Sequence, residues 1–169
     1  MTFALRALAV PVLLLAAACG GSGGSGMDAS IEEADLRERL TSLLMAGVRD
    51  DVNAAAPNLA LQEYAISTVD GKPPNVAQLT PAQRTELTRA CFTQLQAFAR
   101  DTNLDDTASI KAAVTAGSIQ LLPKMSLAEV VFFAPRADGR GKPLRYVAKF
   151  THYASDHQWR MSTIEEKFQ

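Results

Sequence analysis

The spacing of apolar side chains changes from a helical period to an alternating period near Ser118, and this change restricts the possible folds. Before Ser118, apolar residues recur every three or four positions, as on one face of a helix. After it, segments rich in β-branched and aromatic residues follow one another at 118–122, 127–134, 144–153 and 159–165. Helices first and strands last predict an α+β domain, with N-terminal helices followed by an antiparallel β-meander of three to four strands.

The first helix has a recognisable start and stop. Ser30 and Glu33 form a capping-box pattern, and Pro57 ends the helical pattern, so the expected helix begins at Ser30 and runs to about Ala55. Its apolar face consists of Leu36, Leu40, Leu43, Leu44 and Val48.

Two further helices are predicted. Residues 58–77 are ambiguous between a short helix and a loop, with a turn at 70–74. Thr80 then caps a second helix. A third begins after Asp106 and ends at Gly117, where a positive φ would suit a C-terminal cap. The apolar face of the second helix consists of Leu87, Cys91, Leu95 and Phe98.

The last hairpin can be aligned from a short turn at residues 154–157. The parity of the strands then separates an aromatic face from a polar face. On the aromatic face the expected pairs are His152–Trp159, Phe150–Met161 and Ala148–Thr163. On the polar face they are Thr151–Arg160, Lys149–Ser162 and Arg145–Glu166. Three apolar residues interrupt the polar side and predict some apolar surface there: Val131, Phe133 and Val147.

The first 18 residues read as a secretory leader. A single basic residue, Arg6, precedes an apolar run at 7–15, and three alanines lead into Cys19. The run is too short to span a bilayer, which needs about 20 residues. Residues 1–18 are therefore expected to be a removed signal peptide.

The segment from Leu15 to Gly20, LAAACG, resembles the lipobox of bacterial lipoproteins. The resemblance implies that the leader is cut before Cys19, that the cysteine is diacylated with fatty acids such as palmitate, and that the new amine is often acylated too. The leucine stands one place earlier than usual, and the stretch also fits an ordinary signal peptidase site. That alternative leaves Cys19 free or bonded to Cys91. The same resemblance implies that Gly20, in place of an acidic residue after Cys19, directs the lipoprotein to the cell outer membrane, facing the periplasm.

Residues 19–29 are expected to be a lipidated cysteine followed by a flexible Gly/Ser tether. The repeat before Met27 is so regular that an engineered linker is an alternative origin. Residues 30–169 then form a single soluble α+β domain. The partner implied by acylated Cys19 is the lipid bilayer, because two or more acyl chains anchor stably.

Charge and cysteine content exclude several classes of function. The chain has 17 basic and 18 acidic side chains; without Arg6 the balance is 16 to 18, or −2. A near-neutral domain without a basic stripe is a poor nucleic-acid binder. Cys91, within a predicted helix, is interpreted as a small apolar core residue.

The rest of the chain contains no motif for a nucleophile elbow, phosphate loop or zinc site, so no catalytic residue, cofactor or metal is predicted. His152 and His157 have opposite parity on the hairpin and do not converge with Asp156 as metal ligands would. His152 is expected instead to pack against Trp159.

Residues 127–168, and above all the tight turn followed by Gln158-Trp159-Arg160-Met161, resemble the nuclear transport factor two-like and cystatin-like domains. This resemblance implies a curved sheet that wraps around a helix. It is a resemblance of shape, because no diagnostic motif accompanies it.

The leading hypothesis is a membrane-tethered, non-enzymatic protein that binds another envelope or periplasmic protein, with an inhibitor or immunity protein as one subtype. A second hypothesis is a small-ligand or hydrolase-like pocket between sheet and helices. A third is a structural role in envelope assembly. The candidate binding residues are Tyr146, Phe150, His152, Trp159 and Met161.

Overall fold

The computed structural model describes residues 29–68, 72–122 and 126–167. The predicted leader, Cys19, most of the tether and part of the predicted turn at 70–74 lie outside the described residues. The helices are α1 (Ala29–Val48), α2 (Val52–Ala55), α3 (Leu61–Thr68), α4 (Pro81–Asp101) and α5 (Thr107–Ala116). The strands are β1 (Ser118–Leu122), β2 (Leu127–Ala134), β3 (Leu144–Tyr153) and β4 (Gln158–Glu166).

The strands form one antiparallel sheet in the order β1-β2-β3-β4, which confirms the predicted meander and the α+β class. All five helices precede the sheet in the chain. None of the helices formed by the described residues is long and apolar enough to cross a membrane.

The helices pack against one face of the sheet and share one apolar core with it. The predicted faces of the first two long helices lie in this core, apart from Val48 and Leu87, which are half-buried. The largest fully buried side chains come from both the helices and the sheet and include Leu36, Leu40, Leu95, Phe98, Phe132 and Phe150.

The first helix departs from prediction at both ends. The described helix already includes Ala29, so Ser30 lies inside its first turn and is not the N-cap. It ends at Val48 because Asp50 adopts a left-handed conformation (φ 54°). The Asp51 amide donates to the Ala46 carbonyl at 2.9 Å and the Asp50 amide to the Gly47 carbonyl at 3.2 Å, the pattern of a Schellman motif. The sequence did not indicate that the helix ends at Val48, because aspartate occupies the left-handed position where glycine is usual.

The ambiguous stretch after Pro57 resolves into short helices. α3 covers Leu61–Thr68, and a 3-10 turn spans Val76–Gln78. The predicted capping box then starts α4, because the Thr80 hydroxyl accepts the Gln83 amide and the Gln83 side chain accepts the Thr80 amide. This confirms the predicted start of the second long helix.

The end of α5 differs from prediction. Asp106 caps its start, accepting from the amides of Ala108 and Ser109. These bonds lower the pKa of the Asp106 carboxyl. Gly117, however, has a φ of −74°, so it does not provide a left-handed cap.

A close approach explains the glycine at 117. A Cβ there would lie 2.5 Å from the Val131 carbonyl oxygen, so only glycine lets the chain pass β2 at this distance. The last carbonyls of α5 are satisfied by Arg37 of α1, whose guanidinium donates to the Val114, Thr115 and Gly117 oxygens at 2.5–3.2 Å. Arg37 therefore replaces the expected glycine cap.

The β3–β4 register is confirmed near the turn and wrong farther along. Tyr153–Gln158, His152–Trp159, Thr151–Arg160 and Phe150–Met161 pair as predicted. A bulge between Lys149 and Phe150 then shifts the remaining pairs by one residue. In place of the expected partners, the pairs are Ala148–Ile164, Lys149–Thr163 and Tyr146–Glu166, so Arg145 does not pair with Glu166. Ser162 is the extra residue, and its hydroxyl donates to the Lys149 carbonyl at 3.3 Å.

Candidate binding surface

The sheet has one face against the helices and one face toward solvent. Along β2 the side chains of alternate residues, Ala128 to Ala134, are 0–1% exposed and belong to the core. The residues between them face the other way, ending with Phe133, which is 50% exposed. This outer face carries the apolar residues that interrupt the polar pattern of the sequence.

We call Val131, Phe133 and Val147 the outer patch. Val131 lies directly opposite Val147 in the β2–β3 ladder, and Phe133 lies two positions farther along β2, opposite Arg145. Val147 is 6% exposed yet lies outside the continuous core cluster of the described residues, because it packs on the outer face. The outer patch is thus an apolar cluster separate from the core, in which Val147 is buried, Val131 is half-buried and the Phe133 ring is half-exposed.

Charged residues surround the outer patch. Arg145 lies opposite Phe133, and Glu165 lies opposite Val147. The Lys167 ammonium pairs with the Glu165 carboxylate, and its hydrogen bond lowers the pKa of that carboxyl. The Lys167 amide also donates to the Arg145 carbonyl at 2.8 Å, which holds the end of the chain beside the patch. An apolar centre with a charged rim is the usual anatomy of a protein interface.

A surface depression of about 230 Å³ lies at the same end of the sheet. It is formed by the β2–β3 connection and the end of β4, and its charged lining consists of Arg136, Lys142, Arg145, Glu166 and Lys167. The Arg136 side chain donates to the Lys142 carbonyl at 3.2 Å, which fixes one wall. Four cations face one carboxylate in the charged lining, so the depression favours an anionic group.

Four of the five predicted binding residues lie in the closed core instead of lining a cavity. Tyr146, Phe150, Trp159 and Met161 are each 0–4% exposed. The space expected for a ligand between sheet and helices is filled by these side chains themselves. Burial also raises the pKa of the Tyr146 hydroxyl to about 12. The opposite face of the sheet, by contrast, exposes part of its apolar surface at Phe133.

His152, the fifth predicted residue, is half-buried and packs on Trp159 with ring centroids 5.0 Å apart, as predicted. Its centroid is 6.1 Å from that of His157. Asp156 is engaged by the guanidinium of Arg160. Within the three described ranges, no three histidine, cysteine or acidic side chains converge as metal ligands.

Two partly buried side-chain hydrogen bonds join the end of the β3–β4 hairpin to two helices. The Trp159 indole N–H donates to the Glu32 carboxylate at the start of α1. The Tyr153 hydroxyl donates to the Glu63 carboxylate of α3, and the Arg160 guanidinium lies 4.5 Å above the Tyr153 ring. Burial first, and the bond to Glu63 second, raise the pKa of Tyr153. These contacts fix the hairpin on the helical layer.

Sequence parity identified Val131, Phe133 and Val147 as outward-facing apolar residues but did not place a binding site there. Arg136 and Lys142 were missed, because they lie in a connection whose path the pattern of residues does not specify. The concentration of four basic residues between 136 and 145 was the available signal. No match to this chain was found among protein-family models, curated proteins or solved structures.

Proposed function

We propose that this chain is a periplasmic lipoprotein, anchored in the outer membrane through acylated Cys19, whose domain binds another envelope or periplasmic protein without catalysing a reaction. The observation that carries the binding role is the outer patch. Phenylalanine is normally among the most buried residues, yet Phe133 is 50% exposed beside Val131 and opposite an arginine. Aromatic and arginine side chains are enriched where proteins bind tightly.

The anchor is supported by the sequence of the leader. Cys19 directly follows a run of small residues, which is the position where the resemblance to a lipobox implies an acylated cysteine. Two or three acyl chains would hold the chain stably at the bilayer. Tethering would raise the concentration of the domain where an incoming target arrives, as an immunity-type inhibitor requires.

The anchor is tested by the mass of the mature protein from membranes. We expect a polypeptide that begins at Cys19 and carries fatty acid, and we expect Cys19→Ser to remain unprocessed and unacylated. A mature chain that begins at another residue, or that lacks fatty acid, would contradict the anchor.

Protein binding is tested with a photo-crosslinking amino acid at position 133 in living cells. Ile66 provides a matched control, because it is 58% exposed and apolar but lies on helix α3 and not on the outer face of the sheet. We expect one discrete adduct from position 133, its loss when Val131→Asp is added, and no adduct from position 66. A ladder of adducts from both positions, or none from position 133, would refute the proposal.

The crosslink also separates binding from a structural role. An adduct of twice the mass of the chain, containing only this protein, would indicate self-association in envelope assembly. An adduct with a different protein would support the binding role.

A further inference from the structure

We infer that the partner bound at the outer patch presents an acidic, carboxylate-bearing segment, which a cluster of cations at one end of the sheet receives. This inference rests on the proposed function and specifies the chemistry of its partner. We call the cluster the basic pole. Its members are Arg136, Lys142, Arg145 and Lys167.

The basic pole carries a local positive charge, although the chain as a whole is slightly acidic. The whole chain has a formal charge of −1, whereas the charged lining of the depression has four cations and one carboxylate. Among the described residues, the ion pairs within 4 Å engage Lys167 but not Arg136, Lys142 or Arg145. Three cations at the pole are therefore available to an external anion.

The basic pole is continuous with the outer patch. Arg145 faces Phe133 across the β2–β3 ladder and also lines the depression. A partner that covers Phe133 and Val131 would therefore place its neighbouring side chains against the cations. An apolar residue followed by carboxylates matches this arrangement, whereas a free phosphate offers nothing for the apolar part. The continuity favours a protein segment over a small anion.

The position of the pole argues against the lipid surface to which the chain would be anchored. Glu32, near the start of α1, bonds to Trp159, which lies opposite His152 on β3. Arg145 is seven residues away along the same strand, or about 24 Å at ~3.4 Å per residue. The pole therefore lies at the opposite end of the sheet from the start of α1, toward which the proposed anchor lies in the chain, so a partner on the side away from the bilayer is favoured.

The test measures binding of a labelled synthetic peptide of alternating glutamate and leucine to the full acylated chain in neutral detergent. The matched peptide has glutamine in place of glutamate. We expect the glutamate peptide to bind at least about tenfold more tightly at low salt and to lose this advantage as salt rises. Equal affinities for the two peptides would overturn the inference.

Charge reversal locates the site. The variant Lys142→Glu/Arg145→Glu should lower the affinity for the glutamate peptide roughly tenfold or more. The control variant Arg89→Glu/Lys111→Glu reverses two exposed cations on α4 and α5 and should leave the affinity within about twofold. Equal weakening by both variants would show a non-specific charge effect and overturn the inference.

Two further measurements separate the alternatives. Binding of the chain produced from Gly20 onward, which carries neither leader nor acyl groups, to phosphatidylglycerol vesicles would identify lipid as the anion and overturn the inference if the same reversal at the pole abolished it. In cells, a crosslink at position 133 that the reversal leaves unchanged would refute the acidic partner while the proposed function stands. Loss of the crosslink in the charge-reversed variant would support both the acidic partner and the proposed binding function.

Discussion

Gly47 of α1 lies in close contact with Leu95 of α4, and replacing this glycine should cost stability. A Cβ at this position would lie 2.7 Å from the Leu95 carbonyl oxygen and 2.9 Å from the Leu95 Cβ. Both distances are well below ordinary van der Waals contact, and backbone atoms in a helix cannot rotate away. Gly47→Ala therefore forces α1 and α4 apart by roughly half an ångström, and overpacking of this kind costs about 1–3 kcal/mol.

The higher helix propensity of alanine opposes this loss of stability, but its effect is smaller. Alanine stabilises a helix interior by roughly 0.5–1 kcal/mol relative to glycine. The net prediction for Gly47→Ala is a loss of about 1–2 kcal/mol in the free energy of unfolding, and a fall of about 3–8 °C in Tm for a domain of this size. Urea unfolding followed by the fluorescence of Trp159, the one tryptophan of the chain, measures it.

Ala34→Gly is the control for propensity alone. Ala34 is exposed in the same helix, so this change should cost about 0.5–1 kcal/mol without altering the packing. If Gly47→Ala raised the free energy of unfolding by a similar amount, the close contact between the helices would be refuted.

Three other changes have defined outcomes. Thr163 is 3% exposed and its hydroxyl has no hydrogen-bond partner among the described residues, so Thr163→Val should leave the free energy of unfolding unchanged or raise it by about 1 kcal/mol in urea unfolding. Arg37→Ala should lower it by about 1.5–3 kcal/mol, because the carbonyls at the end of α5 lose a charged donor. Burial raises the pKa of the Cys91 thiol from 9.0 to about 12, so the unfolded chain loses this proton first and the free energy of unfolding should fall as pH rises from about 9 toward 12.

Each of these predictions has a contrasting variant. Thr102→Val removes a hydroxyl that donates to the Phe98 carbonyl at 2.9 Å, and it should cost about 1 kcal/mol where Thr163→Val costs nothing. Arg37→Lys should recover only part of the loss, since lysine lacks the planar fork. Cys91→Ala should flatten the alkaline pH dependence, and an unchanged slope would refute its assignment to this thiol.

The long helices and the hairpin turn could be predicted because their signals are local. Thr80 and Gln83 form a capping box within four residues, and the tight turn fixes the pairing from Tyr153 to Phe150. The deviations depend on tertiary contacts. The left-handed Asp50 accepts a hydrogen bond from the Gln96 side chain at 2.7 Å, a partner 46 residues away that the local sequence does not indicate.

Only part of the candidate surface could be predicted, because the rest of it depends on tertiary contacts. Alternation along β2 and β3 identifies which apolar residues face outward, so Phe133 and Val147 follow from the sequence. The depression depends on how the β2–β3 connection folds back, which the Arg136 bond to the Lys142 carbonyl helps to set. The resemblance to nuclear transport factor two-like and cystatin-like domains stays a prediction.

The bulge at Ser162 has an evolutionary consequence. Because Thr163 and Met161 already pair with the adjacent residues Lys149 and Phe150, deleting Ser162 would restore a regular ladder and leave Ile164 facing inward. Deleting a residue within a regular part of a strand would instead turn every following side chain to the wrong side. We therefore expect descendants and ancestors of this chain to gain or lose one codon here more readily than anywhere else in the meander.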